Sequence, residues 1–220
     1  LWLKGESSGN KLKIKKIYKP AFLIHFHGDF WENKFWLKEK WYNFLLLWLS
    51  KFLVKRADGI KVVSFGIKRK LLKAGLGGKK IRVISTPVDL EKFSRPDFAK
   101  VREIRALNGR RKTIINVGRC DPAKDYKTLG QAVSLVYEKC RNLAFCQAGA
   151  GKKLCRTIKA DDNLLISFLD KIPQDELIDY YHASDVYVSS SKHESFGKVL
   201  IEAMAAGLPV VATATTGSKD

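Results

Sequence analysis

Short β-branched runs alternate with stretches of helical periodicity along almost the whole chain, and few architectures accept that rhythm. Residues 21–26 (AFLIHF), 60–64 (IKVVS) and 81–85 (IRVIS) read as strands, with helical patterns over 35–56 and 67–74 between them. After Thr86-Pro87, with Pro96 shortly beyond, the rhythm resumes. TIINV (113–117), LAFCQA (143–148), LLISFL (164–169) and DVYVSS (185–190) are strand-like, and helices are predicted over 126–139 and 174–183. The last helix carries Val199, Leu200, Ala203 and Met204 on its apolar face, stops at Gly207, and leads into a buried strand from Pro209. Strand–helix–strand repetition predicts an α/β fold with parallel sheets, in two similar α/β halves joined near residues 86–96. The boundaries expected are 1–92 and 93–220.

With 220 residues and 45% hydrophobic content the chain can bury a core, so it is not a disordered tail. Its charge is lopsided. Residues 1–92 hold 21 basic against 7 acidic side chains (+14), and residues 93–220 hold 20 against 15 (+5). Such an imbalance suits a polyanionic partner, nucleic acid or an anionic membrane surface, on the first half. Cys120, Cys140, Cys146 and Cys155 fit no C-x-x-C spacing and read as reduced core thiols of a cytoplasmic protein. The longest apolar run, Trp41 to Val54, is interrupted by Asn43, Ser50 and Lys51 and is shorter than the ~20 residues of a membrane span.

Open parallel sheets bind ligands beyond the carboxyl ends of their strands, and three such positions in the second half are polar. Gly118-Arg119 follows TIINV, with Lys124 five residues on; Gly149-Ala150-Gly151-Lys152 follows LAFCQA; Glu194-Ser195-Phe196-Gly197 follows DVYVSS. Glycines admit a ligand to the backbone, a helix start favours an anion, and two fixed cations offset a diphosphate. Taken singly, each has an ordinary explanation: a solvated surface charge, a turn, a helix-dipole partner for Glu194, a solvent-facing helical position for Glu202. Treated as one helix, residues 194–202 would span ~12 Å with both carboxylates toward one side, enough to serve the two sugar rings that flank a diphosphate.

The segment E-S-F-G-K-V-L-I-E-A-M-A-A-G-L-P-V-V-A-T resembles the E-x7-E segment of the retaining glycosyltransferases of family 4, the glycosyl transferases group 1. I-N-V-G-R-x4-K (115–124), A-G-A-G (148–151), Y-Y-H-A-S-D-V-Y-V-S-S-S (180–191), A-D-G-I-K-V-V-S (57–64) and V-I-S-T-P-V-D-L-E-K-F (83–93) agree in order and spacing. The resemblance implies a GT-B fold: two facing Rossmann-like domains, the first for the acceptor and the second for the nucleotide sugar. It places Arg119 and Lys124 on the donor diphosphate, Glu202 on the ribose and Glu194 near the transferred sugar, with backbone N–H groups from Ser195, Phe196 and Gly197. Gly118, Gly149 and Gly151 line the donor loops. In F-H-G-D-F-W (26–31), His27 matches the histidine that faces the cleft from the first domain. His25, His182 and His193 are expected to be structural.

The implied chemistry is retaining sugar transfer from a nucleotide-diphosphate sugar to a glycan or lipid-linked acceptor, in polysaccharide or cell-envelope assembly. No cofactor and no metal are expected, and the chain contains no D-x-D. Thr86-Pro-Val-Asp89 stands where the family's linker reads Asn-Gly-Val-Asp, and the family's first strand and glycine-rich loop, like its final strands and helices, have no counterpart. The sequence thus reads as the middle of an enzyme, with weak or no turnover alone. The basic, aromatic K-L-K-I-K-K-I-Y-K (11–19) and the helix around 36–56 fit either a buried core helix or a peripheral contact with an anionic membrane at its inner face. Two other classes compete. An NAD(P)-dependent Rossmann oxidoreductase would use Gly149-x-Gly151 and Asp170, but Leu154 replaces its third glycine and the cations and paired glutamates go unused. A nucleic-acid-binding module would use the charge of +19, but no reader motif is present, so no nucleic-acid partner is expected.

Overall fold

The structure, a computed structural model, describes residues 21–28, 37–38, 40–149, 158 and 163–220. Strands β1 (Leu23–Phe26), β2 (Gly59–Val62) and β3 (Ile81–Val83) form a parallel sheet in that order. Helix α1 (Asn43–Arg56) connects β1 to β2 and α2 (Phe65–Lys73) connects β2 to β3. Phe26, Val54, Ile60, Val62, Ile67 and Ile81 make the core. Strand β2 ends two residues before the sequence suggests because Ser64 caps α2, its Oγ accepting from Ile67 N at 3.2 Å.

The helix expected over 35–56 is shorter. Residues 37 and 38 are helical, but Trp41 and Tyr42 form a turn, and the Asn43 N–H closes it onto the Lys40 carbonyl at 3.1 Å. Only Asn43, Leu47 and Val54 of α1 are buried. Trp41 just before it, and Phe44, Leu45, Trp48, Leu49 and Phe52 on it, are exposed, so the core reading of this helix holds for one narrow stripe only.

The second half begins with α3 (Leu90–Phe93) and α4 (Phe98–Leu107), which pattern reading passes over. Asp89 and Asp97 cap them through their carboxylates. Strands β4 (Lys112–Val117), β5 (Leu143–Ala148), β6 (Leu165–Leu169), β7 (Val186–Ser189) and β8 (Val210–Ala212) then build a parallel sheet, ordered β6-β5-β4-β7-β8. Helices α5 (Tyr126–Lys139), α6 (Gln174–His182) and α7 (Lys198–Ala205) cover it. Residues alternate between two cores: Ile115, Cys146 and Tyr187 pack against α6 and α7, while Ile114 and Phe145 pack against Leu129, Val133 and Tyr137 of α5. Burial on both faces is what a parallel sheet requires, and it explains the unbroken apolar runs. Of the three described cysteines only Cys146 is a core thiol, with burial pushing it up to about 12; Cys140 at the end of α5 is half-buried and Cys120 lies exposed on the loop after β4.

Strand order decides where a ligand can enter. From β4 the chain steps outward to β5 and β6, then returns through α6 to the other side of β4 as β7 and β8. The loops after β4 and β7 therefore part in opposite directions, leaving a crevice at the carboxyl edge of this pair.

Candidate active site at the strand-order reversal

Lys124 and Glu194 face each other across that crevice. Lys124 ends a 3₁₀ turn (Pro122–Lys124) begun by Asp121, whose carboxylate accepts from Ala123 N at 2.8 Å. Asp125 follows with φ +47°, turning the chain into α5. The turn is tied to the β7 loop by Ser190 Oγ, which lies 2.8 and 3.0 Å from the Lys124 and Asp125 carbonyls and has its one proton to share between them, and by Lys192 N on the Ala123 carbonyl at 2.8 Å. Burial works against ionisation of Asp125, but hydrogen bonds from Thr128 and Lys192 outweigh it and hold the carboxyl below its ordinary value. On this frame Lys124 Nζ lies 2.6 Å from Glu194 Oε2, with both side chains roughly four-fifths buried (23% and 22% exposed).

Glu202 has different surroundings. It is buried at 4% exposure, so the solvent-facing reading does not apply. Its Oε1 accepts from Gln174 Nε2 at 2.7 Å and lies 3.2 Å from Lys198 Nζ. The Tyr181 hydroxyl is buried near Glu202, with no hydrogen bond of good geometry among the described residues; burial first, then Tyr187 and Glu202, push this phenol upward. The helical projection over 194–202 fails, because α7 starts at Lys198 and Gly197 precedes it with φ +80°. Glu194 belongs to the β7 loop and Glu202 to the second turn of α7, so the two carboxylates reach their places by separate routes. Met204 is exposed rather than on the apolar face, which Leu200, Ala203 and Glu202 occupy.

Other expected residues fall around this centre. Arg119 is exposed, and its guanidinium has no ion pair among the described residues. Gly118 lies beside Lys124 and Tyr126. Gly149 has φ +95°, and a Cβ there would come within 3.0 Å of the Gly118 carbonyl, so packing of the β4 and β5 loops by itself demands glycine. Gly151, with Ala150, Lys152 and Leu154, lies outside the described residues, as do the 11–19 and 29–36 segments and Cys155. Ser195 and Phe196 sit under the turn that ends the chain. The Gly217 N–H donates to the Glu194 carbonyl at 2.8 Å, and a Cβ on Gly217 would lie 2.3 Å from Phe196 N. The Phe196 side chain packs into the core of the first half. Asp220 bonds Gly66 N at 2.9 Å and Arg69 at 3.0 Å, tying the same turn to the start of α2. His27 is exposed, stands 5.8 Å from His25 between ring centroids, and is followed by Gly28, whose Cβ position is 4.0 Å from Ser195 Oγ. The His27 loop therefore meets the Glu194 loop. His182 is structural, its Nε2 2.8 Å from the Phe93 carbonyl.

Sequence reasoning missed Gln174 and Lys198 beside Glu202, and Tyr126 and Gln147 beside Gly118. Among the described residues no three His, Cys, Asp or Glu side chains cluster as metal ligands, and no helix is long and apolar enough to cross a membrane.

Two parallel-sheet α/β halves, with a cation–carboxylate pair at the strand-order reversal of the second, define a GT-B-type glycosyltransferase fold. Residues 97–220 match the family described as glycosyl transferases group 1, and residues 9–92 match glycosyltransferase family 4. The chain belongs to the glycosyl transferases group 1 family. It is 31% identical over 175 residues to the sulfoquinovosyl transferase SQD2 of Arabidopsis thaliana, covering 78% of this chain and 34% of the relative. It is 32% identical over 149 residues to the D-inositol 3-phosphate glycosyltransferase of Mycolicibacterium gilvum, covering 63% and 32%. It thus spans about a third of the length of these curated relatives. In fold it is similar to Anabaena Alr3699/HepE, solved in complex with UDP and glucose: TM-score 0.74 at 21% identity, over 90% of this chain and 54% of that one.

Proposed function

We propose that the protein transfers a sugar from a nucleoside-diphosphate sugar to a glycan or lipid-linked acceptor, with retention of configuration and without a metal ion. The observation that carries this reading is the Lys124–Glu194 pair across the β4/β7 crevice, beside the uncommitted guanidinium of Arg119. In this reading residues 93–220 bind the donor and residues 1–92 the acceptor. Arg119 and Lys124 neutralise the diphosphate, and Gly118, Gly149, Gly151, Ser195, Phe196 and Gly197 let backbone approach it. Glu194 accepts from hydroxyls of the transferred sugar. Glu202, with Oε1 already bonded, offers Oε2 to the ribose. His27 faces the sugar from the first half.

Chemically, the anomeric C–O bond to the diphosphate breaks while the acceptor oxygen attacks on the same face. The acceptor proton passes to a departing phosphate oxygen, and the negative charge that grows there is met by Lys124 and Arg119. Fixed cations stabilise such developing charge without reorganising, which is the service a divalent ion would otherwise supply. The Anabaena neighbour's complex with UDP and glucose supports a nucleotide-sugar donor. Titration calorimetry with UDP, GDP and ADP, each with and without chelator, tests this. One of the three is expected to bind with a heat that chelator leaves unchanged. Binding by none contradicts the donor site; loss of binding with chelator contradicts metal independence.

A peripheral contact with an anionic membrane on the cytoplasmic side is the companion proposal. Its support is the exposed apolar face of α1 together with Lys51, Lys55 and Arg56, no acidic residue in its first turn, and the +14 charge of residues 1–92. The protein is expected to co-sediment with phosphatidylserine-containing vesicles at low salt and to be released at high salt. Failure to bind anionic vesicles at low salt contradicts it.

A further inference from the structure

Gln147 and Tyr126 belong to no motif, yet both converge on the loop that carries Arg119. Gln147 occupies a fully buried position of β5, an unfavourable place for an amide unless it is bonded. Its Nε2 donates to the Gly118 carbonyl at 3.0 Å and to the Ala148 carbonyl at 2.8 Å. The Tyr126 hydroxyl, at the start of α5, lies 2.8 Å from the Gly118 carbonyl and 3.0 Å from the Arg119 carbonyl. A hydroxyl has one proton to give. Because Gln147 also donates to the Gly118 carbonyl and lies 3.4 Å from the Tyr126 hydroxyl, that proton can serve either carbonyl. Two successive carbonyls are thereby held toward the start of α5.

In a planar trans peptide the C=O and the following N–H point in opposite directions. Carbonyls 118 and 119 held toward α5 therefore turn the N–H groups of Arg119 and Cys120 the other way. Among the described residues neither N–H has a hydrogen-bond partner, and both residues are exposed. The preceding amide differs: Gly118 N is spent on the Ala148 carbonyl at 2.9 Å. Successive N–H groups left free to point outward can form an anion-binding concavity, here on the loop that carries Arg119.

Building on the donor-site reading, we infer that Tyr126 and Gln147 are positioning residues for the donor diphosphate: by pinning the Gly118 and Arg119 carbonyls they aim the Arg119 and Cys120 amides, and with them the Arg119 guanidinium, at its phosphates. They touch no substrate and act only through the loop. Loss of the Tyr126 hydroxyl should therefore weaken binding of the diphosphate and leave binding of the bare nucleoside alone. It should also have little further effect once Arg119 is gone.

The test uses whichever of UDP, GDP and ADP binds the wild-type chain most tightly, with its nucleoside as control. Tyr126→Phe, which keeps the ring packing, is expected to weaken the diphosphate about tenfold, the size of one lost hydrogen bond in a charged site, with the nucleoside unchanged. Combined with Arg119→Ala, the two losses should be markedly less than additive. In wild-type protein, titrating the diphosphate should shift the Arg119 and Cys120 amide resonances more than that of Lys192, which is bonded to Ala123. The inference is overturned if Tyr126→Phe binds the diphosphate as wild type does. Equal weakening of nucleoside and diphosphate, or Arg119 and Cys120 amides that stay still while others move, would overturn it too. Wild-type protein that binds none of the three nucleotides overturns the donor site itself, a result distinct from all of these.

Discussion

Glu194→Gln is expected to change catalysis and nucleotide binding in opposite directions. Sugar transfer, assayed in the full-length protein, should fall by at least about a hundredfold, as it does when one preorganised polar group facing the reacting centre is lost. Binding of the sugar-free nucleoside diphosphate should instead tighten by about three- to tenfold, because the partly buried ion pair that occupies Lys124 in the empty site is gone. The argument rests on the 2.6 Å contact between Lys124 Nζ and Glu194 Oε2. A diphosphate and Glu194 are both anionic, and each draws on the same ammonium. Neutralising one leaves the cation to the other. Calorimetry with the bare nucleotide and a transfer assay with the matching nucleotide sugar read the two effects separately. A variant damaged in folding would lose both, so tightening alongside lost turnover is specific to the proposed competition; loss of both contradicts it.

Lys124→Ala should do the opposite and weaken nucleotide binding. It removes a cation facing the diphosphate and leaves Glu194, largely buried, without compensation beside an incoming anion. Truncating one partner of a desolvated charge pair commonly costs about 2–5 kcal/mol, which is about thirtyfold or more in nucleotide affinity. The fold should tolerate the change. The ties between the β4 and β7 loops run through the Lys124 and Asp125 carbonyls and the Lys192 amide, none of which the substitution touches. Thermal unfolding should therefore stay near wild type. The double variant Lys124→Ala, Glu194→Gln should recover part of the lost affinity, because the stranded carboxylate is also gone. Nucleotide affinity unchanged by Lys124→Ala would remove this lysine from the donor site.

Where burial writes a pattern directly into the chain, the elements were legible. Helix α5 and strand β5 fall on the predicted boundaries, because each is flanked by turn residues and buries an unbroken face or both faces. Helix α4 was not, since it buries only Val101 and lacks a continuous apolar stripe; its signals were the cap at Asp97 and the stop at Asn108-Gly109. Helix α1 misled for the converse reason. Its apolar residues surround the axis, which reads as a core helix, but tertiary packing accepts only the Asn43–Leu47–Val54 stripe.

The site divides the same way. Arg119, Lys124, Glu194 and Glu202 could be singled out by type and spacing, but not their contacts. Lys124 meets Glu194 only because β7 lies next to β4 in the sheet, a property of strand order that no local window contains. Glu202 is buried because Gln174, arriving on α6 from 28 positions away, supplies its hydrogen bond. Gln147 sits in a run of six buried residues where period-two reading has nothing to distinguish, and its Gly118 carbonyl partner belongs to another loop.

A crystal structure of the protein with the nucleoside diphosphate it binds best tests the central claim most directly. The phosphates are predicted at the carboxyl edge of β4 and β7, within hydrogen-bonding distance of Lys124 Nζ and the Arg119 loop, with the ribose toward Glu202. Phosphates found at another edge of the sheet, with Lys124 still closed on Glu194, would contradict the account.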